Sequence, residues 1–514
     1  MPIKHPVMHR MAGLAMGLGV AGAAAAQQPL SVIDWLSKPT QAPLPGTVLM
    51  EPPVSPSVTL PDIQVSPLAA LAPPLGLVPG TVTGLPVDLW LGSDIEDLTR
   101  LMARAPVAHS PAMQTLLYSV LLSETRPPAG PDGLRLTLAR IDRLMALGAV
   151  DPAQALTRRA DPMSSPALFR RWFDSTLLTG DEDQACELLQ SQPHLLPGYD
   201  AQIFCAARAG DWATAALTLE TAHALELLPP WKLDLLDRFL SPELFEGAPP
   251  LPAPLSPDPL AFRLFEAIGE RLPSRDLPRA FATADLRDVA GWKAQLEAAE
   301  RLTRIGALSP NRLLGLYTER LPAASGGIWD RVEALQRFDT ALTTRSPDAV
   351  QRTLAPVWAA MQQAGLEVPF AELFGDRLAQ VRFTNPAAAT LAWRIRLLSG
   401  TYETAAHTPP DNSAMNTFLA ALAQGDPGRA LAPNDTAQAI ADGFGTDVPL
   451  PRDIQNALDQ GQLGQAILLT IRLFHTGAGG NAEDLSQALA ALRRMGLEDT
   501  ARRAALQLTL LGYG

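Results

Sequence analysis

An all-α fold, an α-solenoid of helical hairpins in two arrays, is what this 514-residue sequence predicts. Three observations lead there. Beyond residue 87, apolar residues recur at three- and four-residue spacing in nearly every segment, the period of an amphipathic helix, and the alternating pattern of strands is nearly absent. A junction recurs in which a glycine ends one such stretch and an alanine follows five positions later in the next. Proline is concentrated ahead of the helical region and again within residues 241–260, so it marks boundaries rather than interrupting every element. The chain is too long for one ordinary core and suits two or three domains or an extended array. Its 47% apolar content supplies the core such a body needs.

The elements follow in order. Residues 1–26 have the form of a secretory leader: Lys4 and Arg10 give a basic start, LAMGLGVAGAAAA (14–26) is short and apolar, and Ala24-Ala25-Ala26 is a small-residue cleavage site. The apolar stretch is shorter than the roughly 20 residues a spanning helix needs. No Cys follows it directly, which argues against a lipid anchor. Residues 27–38 contain LSVIDWLS (30–37), where Ser31 and Asp34 fit a capping box and Leu30, Ile33, Trp35 and Leu36 supply apolar anchors. A helix of one or two turns is unstable alone in water. The motif therefore docks on a partner, folds back on its own chain, or is idle. Residues 39–87 hold 12 prolines and only Glu51 and Asp62 as charges up to Pro86, which predicts a disordered, semi-extended linker. That long leash favours a partner for the motif. Residues 88–245 form the first helical array, 246–257 a second proline-rich linker, and 258–514 the second array.

The repeated junction falls at Gly148, Gly180, Gly210, Gly400, Gly425, Gly461 and Gly496, with Ala153, Ala185, Ala215, Ala405, Ala430, Ala466 and Ala501 in the following helices. Glycine closes a helix in the left-handed conformation, an adjacent Asp or Thr can cap the next helix, and alanine lets the two approach closely. Gly148, Gly180 and Gly210, and again Gly425, Gly461 and Gly496, lie 30 to 36 residues apart, near the roughly 34-residue period of helical hairpins. GDWATAAL (210–217) resembles the hairpin turn of the tetratricopeptide repeat; GTYETAA (400–406) matches less well. The repeat's first-helix pattern is irregular here, and the resemblance covers about half the chain. It implies helical hairpins with a concave surface for protein contact. A second echo pairs RLMALGAVDPAQAL (143–156) with RLTRIGALSPNRLL (301–314), each restarting a helix with an N-cap and a proline.

The chemistry of catalysis is not visible. The histidines outside the leader, His109, His194, His223, His407 and His475, never stand at i, i+4, and no HExxH, GxSxG or Walker loop occurs. GAGGNAED (477–484) reads as a loop between helices. GDEDQ (180–184) reads as acidic helix-start charge, with Asp174, Asp181, Glu182 and Asp183 as a remote cation alternative. Trp212, Tyr402, Trp292, Trp329 and Trp393 read as packing residues rather than a ligand box. Cys186 and Cys205, just after one repeat turn and just before the next, form a disulfide or remain two buried thiols. They make no zinc site. The net charge of −12, more negative once Lys4 and Arg10 are removed, argues against nucleic acid or an anionic membrane as partner.

The expectation is an exported periplasmic protein, secreted as the alternative, with no cofactor, no catalysis and no integral membrane segment after cleavage. It would serve as a cell-envelope scaffold or adaptor that binds protein partners. Two other readings stay open: an accessory factor or enzyme of peptidoglycan turnover, which a clustered, titrating Glu in a deep groove would favour, and a structural subunit of a secretion or motility machine.

Overall fold

The computed structural model describes residues 73–128 and 132–512. The leader, the LSVIDWLS motif and residues 39–72 lie outside the described residues. Within them the chain is all-helical, with 25 α-helices, short 3₁₀ turns and no strand beyond two isolated bridges. No described helix is long and apolar enough to cross a membrane.

Sequential helices pack as hairpins: Tyr199–Arg208 on Trp212–Ala224, Ile328–Thr343 on Pro347–Ala364, Leu463–Ala478 on Ala482–Arg494. The first of these reversals is made by a repeated junction, at Gly210, and the other two turn at residues 344–346 and 479–481. Gly148, Gly180, Gly210, Gly425, Gly461 and Gly496 all have positive φ, between 71° and 91°, a region that costs glycine nothing and other residues a clash. Six of the seven paired alanines are buried, all at 0% exposure. The exception is Ala430, which follows a 3₁₀ turn (Pro427–Arg429) and is only partly buried. Gly400 also departs, with no positive φ; there the Ser399 hydroxyl accepts from the Thr401 N–H and organises the turn instead.

The proline-rich linker expected to run to residue 87 gives way earlier, for residues 73–87 belong to the folded body. Leu75 and Thr125 exchange backbone hydrogen bonds of 3.0 and 3.1 Å, and the Leu77 and Val78 N–H groups donate to the Leu122 carbonyl. Proline forbids helix interiors and central strands, but a short extended strap needs few donors. Arg140, 2% exposed, fixes the strap. Its guanidinium donates to the carbonyls of Leu121 (2.8 Å), Leu75 (2.9 Å) and Ser123 (2.7 Å). Burial lowers its pKa to about 10.

The strap leads to Leu89 and Trp90, both at 0% exposure, and these meet the far end of the sequence. The Gly464 N–H donates to the Leu89 carbonyl at 2.9 Å. A Cβ on Gly464 would lie 2.5 Å from the Trp90 ring. The Ala112 N–H donates to the Gln507 side chain at 2.8 Å. Leu98, Met102, Leu117 and Leu144 share one core with Phe418, Ile440, Ile467, Leu489 and Leu506. Helices from the two ends of the described chain thus cover each other's apolar faces: Ile95–Arg104 packs on Leu463–Ala478, and Pro111–Leu122 on Glu498–Leu511.

Residues 246–257, expected to divide two arrays, form an irregular and mostly exposed loop. Arg238 holds it by donating to the Pro249 carbonyl (2.9 Å), and Glu270 accepts from the Leu251 N–H (2.7 Å). Core runs past it on both sides: Leu235 and Leu236 pack in one cluster with Phe262 and Phe265. The described residues form one compact unit.

Candidate functional site

Of the residues the sequence singles out, Leu30, Ile33, Trp35 and Leu36 lie outside the described residues. Cys186 and Cys205 are disulfide-bonded, with Cα atoms 5.0 Å apart. They staple the Glu182–Ser191 helix to the Tyr199–Arg208 helix. The acids of GDEDQ do not converge. Glu182 is buried against Arg208 and Arg263, and Asp183 pairs with Arg208. Among the described residues no group of three or more His, Cys, Asp or Glu could hold a metal.

Next to the stapled pair stands the Trp212–Ala224 helix. It buries only a narrow stripe, Ala215, Leu219 and Ala222. Its outer face leaves Trp212 56% exposed and Leu217 66%, with Leu225 just beyond at 63%. Trp212, expected among packing residues, is therefore a surface residue. Tyr402, Trp292 and Trp393 are buried and Trp329 is partly buried. Periodicity missed this because Ala and Leu occur all round the helix, and no polar face marks the outside. Asp211, Glu220 and Glu226 are exposed around the patch.

A second feature is a cavity of about 610 Å³. Its wall is built from helix starts. The helices Pro111–Leu122, Val150–Arg159, Pro310–Thr318, Glu367–Leu378 and Glu498–Leu511 all bring first-turn residues to it. The two echoing stretches GAVDP (148–152) and GALSP (306–310) both border this space, so the likeness noted in the sequence corresponds to two turns lining one wall. Ser110 and Ser309 cap their own helices, whereas the starts at Val150, Glu367 and Glu498 have no side-chain cap. Helix starts carry partial positive charge and unpaired N–H groups.

Polar residues belong to the same wall. The hydroxyls of Tyr118 and Thr303 are buried within it, without a hydrogen-bond partner and closed off from the space itself. Glu367 and Glu372 line the wall, and neither they nor Arg304 enter an ion pair among the described residues. Burial raises both carboxyls above the usual range, against the opposing pull of Arg304 on Glu367 and of Arg503 on Glu372. Arg304 spends its Nε on the Ala364 carbonyl (2.7 Å). Arg503 bonds Asp499 (2.8 Å), which also accepts from the Tyr402 hydroxyl (2.8 Å). No local pattern announces this site, because its walls come from stretches hundreds of residues apart.

A third polar cluster is partly buried. Lys232 bridges Asp200 and Asp258, 2.6 Å from the latter, and Asp174 lies near both acids. Burial pushes Asp174 up to about 7; Asp258 and Asp200 add to the rise, and Arg170 and Arg171 oppose it. An acid whose folded pKa exceeds its unfolded value near 4 binds its proton more tightly when folded. Its stabilising contribution is complete below about pH 4 and lost as pH rises through about 7. Asp174→Asn should remove that component. The difference in melting temperature between variant and wild type, followed from pH 4 to 8, should shift in favour of the variant as pH rises. A constant difference would contradict the assignment.

No family model matches the chain, and comparison with curated proteins and with solved structures finds no match either. The likeness to tetratricopeptide turns therefore rests on the turn sequences alone.

Proposed function

We propose that this protein is an exported, periplasmic cell-envelope scaffold or adaptor without catalytic activity, binding protein partners through its helical surface and through LSVIDWLS (30–37). The observation that carries this reading is the outer face of the Trp212–Ala224 helix, where Trp212, Leu217 and Leu225 stand exposed beside a disulfide. Exposed aromatic and aliphatic anchors on an element packed against a stapled helix pair are what binding hot spots use. The acidic rim of Asp211, Glu220 and Glu226 selects an amphipathic partner segment with basic flanks. The disulfide supports export to an oxidising compartment.

The test is crosslinking in intact cells followed by mass spectrometry on three chains: wild type, Trp212→Ser with Leu217→Ser, and Ile33→Ala with Trp35→Ala and Leu36→Ala. The helix-face pair is exposed, so its melting curve should match wild type. The expected result is an envelope protein with a basic amphipathic segment that wild type captures and the helix-face variant loses. The same captured set from both would overturn the assignment of this face, and loss only in the 33/35/36 variant would leave LSVIDWLS as the sole hook.

One observation favours a second reading, a role in peptidoglycan turnover as accessory factor or enzyme. Glu367 and Glu372 line one cavity, and burial raises both carboxyls above their usual range, the direction of shift a general acid requires. Release of soluble fragments from purified peptidoglycan, lost in Glu367→Gln or Glu372→Gln, would support it.

A further inference from the structure

We infer that residues 249–255 are a recognition segment, presented in polyproline II form to an aromatic-lined groove on a partner protein. The segment lies in the loop before the Pro259–Ala267 helix. Its conformation follows from its sequence, GAPPLPAPLSP (247–257). Proline fixes its own φ at about −65° and drives the residue before it into extended backbone. From Ala248 to Asp258 every residue except Leu255 is a proline or stands directly before one. Asp258, at the end of the run, has φ −78° and ψ 169°.

Polyproline II has three residues per turn, and burial along the loop repeats every third residue. Leu251 and Pro254 are partly buried and Pro257 is buried, while Pro249, Pro250, Pro252, Ala253, Leu255 and Ser256 are exposed. One edge of the segment thus rests on the body and the rest faces outward. Successive outward turns carry Pro249, Pro252 and the fully exposed Leu255. Two side chains hold the segment in place. Arg238 donates to the Pro249 carbonyl (2.9 Å), Glu270 accepts from the Leu251 N–H (2.7 Å), and the two pair with each other at 2.8 Å. The carbonyls of Pro250, Leu251, Pro252, Ala253 and Pro254 accept no hydrogen bond from the described residues.

An uncharged apolar ridge fixed on a surface is a defect unless it has a function. Its own chemistry defines what covers it. Proline rings at three-residue spacing fit the clefts between aromatic side chains, and indole or phenol donors there reach the carbonyls left open between the rings. A segment already held in this form loses little freedom on docking. Glu243 and Glu246 stand exposed ahead of it, whereas Asp258 behind it is taken by Lys232 at 2.6 Å. The open acids therefore lie at one end and select a groove with a basic residue beside the pocket for Pro249. This surface shares no residue with the Trp212 face, and either assignment can fail without the other.

A photoreactive benzoylphenylalanine at position 253 of the full chain, irradiated in isolated cell envelopes, tests the inference, with each adduct mapped to a residue by mass spectrometry. The expected adduct lies in an aromatic-lined groove of a partner, next to a Lys or Arg. A synthetic peptide of residues 243–257 should compete it away, and Pro249→Ala with Pro252→Ala should lower its yield by about tenfold. Trp212→Ser with Leu217→Ser should leave it unchanged. An adduct on a surface without aromatic residues, one joining two copies of this chain, or one lost only with the Trp212 pair would overturn the inference. So would equal yield from the two-proline variant, or no adduct. Positions 249, 252 and 253 are exposed, so the melting curves should match wild type, and peptide competition is read on chains that keep both prolines.

Discussion

Trp90→Ala should cost the folded state about 3–5 kcal/mol, the usual loss for truncating a fully buried aromatic, and the damage should appear at both ends of the sequence. The indole is completely buried, and its Nε1 donates to the Thr125 hydroxyl at 2.9 Å. Its six-membered ring lies against Gly464, whose N–H bonds the Leu89 carbonyl. Removing the ring opens a hole between the proline strap and the Leu463–Ala478 helix and leaves Thr125 without its donor. Gly464→Ala attacks the same contact from the other side. Its new Cβ would meet the indole at 2.5 Å and the Leu89 carbonyl oxygen at 2.8 Å, a clash worth about 1–3 kcal/mol. The two changes touch one contact, so they should not add. In the double variant the methyl introduced by Gly464→Ala enters space the indole has left, and the loss should be smaller than the sum. Urea denaturation measures the energies. Hydrogen exchange should show loosening within 95–122 and 463–511 together. Loosening of one alone would contradict a shared core.

Cys186→Ser with Cys205→Ser should destabilise by about 3 kcal/mol, from the loop-closure entropy restored to the unfolded chain across a separation of 19 residues. Part of this loss should be local. The Glu182–Ser191 and Tyr199–Arg208 helices are held to each other by the bridge, and the Trp212–Ala224 helix leans on the second of them with only a narrow buried stripe. Without the staple, exchange protection should fall first in residues 182–224, and capture of a partner by the Trp212 face should weaken with it. Wild type treated with dithiothreitol should behave like the variant, as should chain retained in a reducing cytosol. A melting temperature indifferent to reductant would contradict a stabilising role for the bridge.

The helical class was legible because its signals are local. Apolar spacing at three and four residues, and glycines such as Gly180 and Gly210 followed by a buried alanine, need no partner from elsewhere in the chain. The departures have local causes too: Gly400 is replaced in its role by a serine hydroxyl, and Ala430 follows a 3₁₀ turn. Proline misled at 73–87, since a residue that breaks helices is also suited to an extended strap, and what pins the strap is Arg140, more than fifty residues away. Aromatic identity misled at Trp212, because hydrophobicity says that a side chain gains from burial but not which surface buries it. The meeting of Trp90 with Gly464 and the cavity behind Tyr118, Thr303 and Glu367 depend on contacts between distant stretches. No periodicity within a window encodes them.

One continuous helical body, in which helices from both ends of the described chain pack together, presents the face and borders the cavity. Cleavage within 246–257 tests it most directly. With a protease site placed in that exposed loop, the two fragments should remain together through size-exclusion chromatography without denaturant, elute at the position of the uncut chain, and separate only in urea. Two fragments that elute apart, each folded, would show two independent arrays joined by a linker and contradict the shared core.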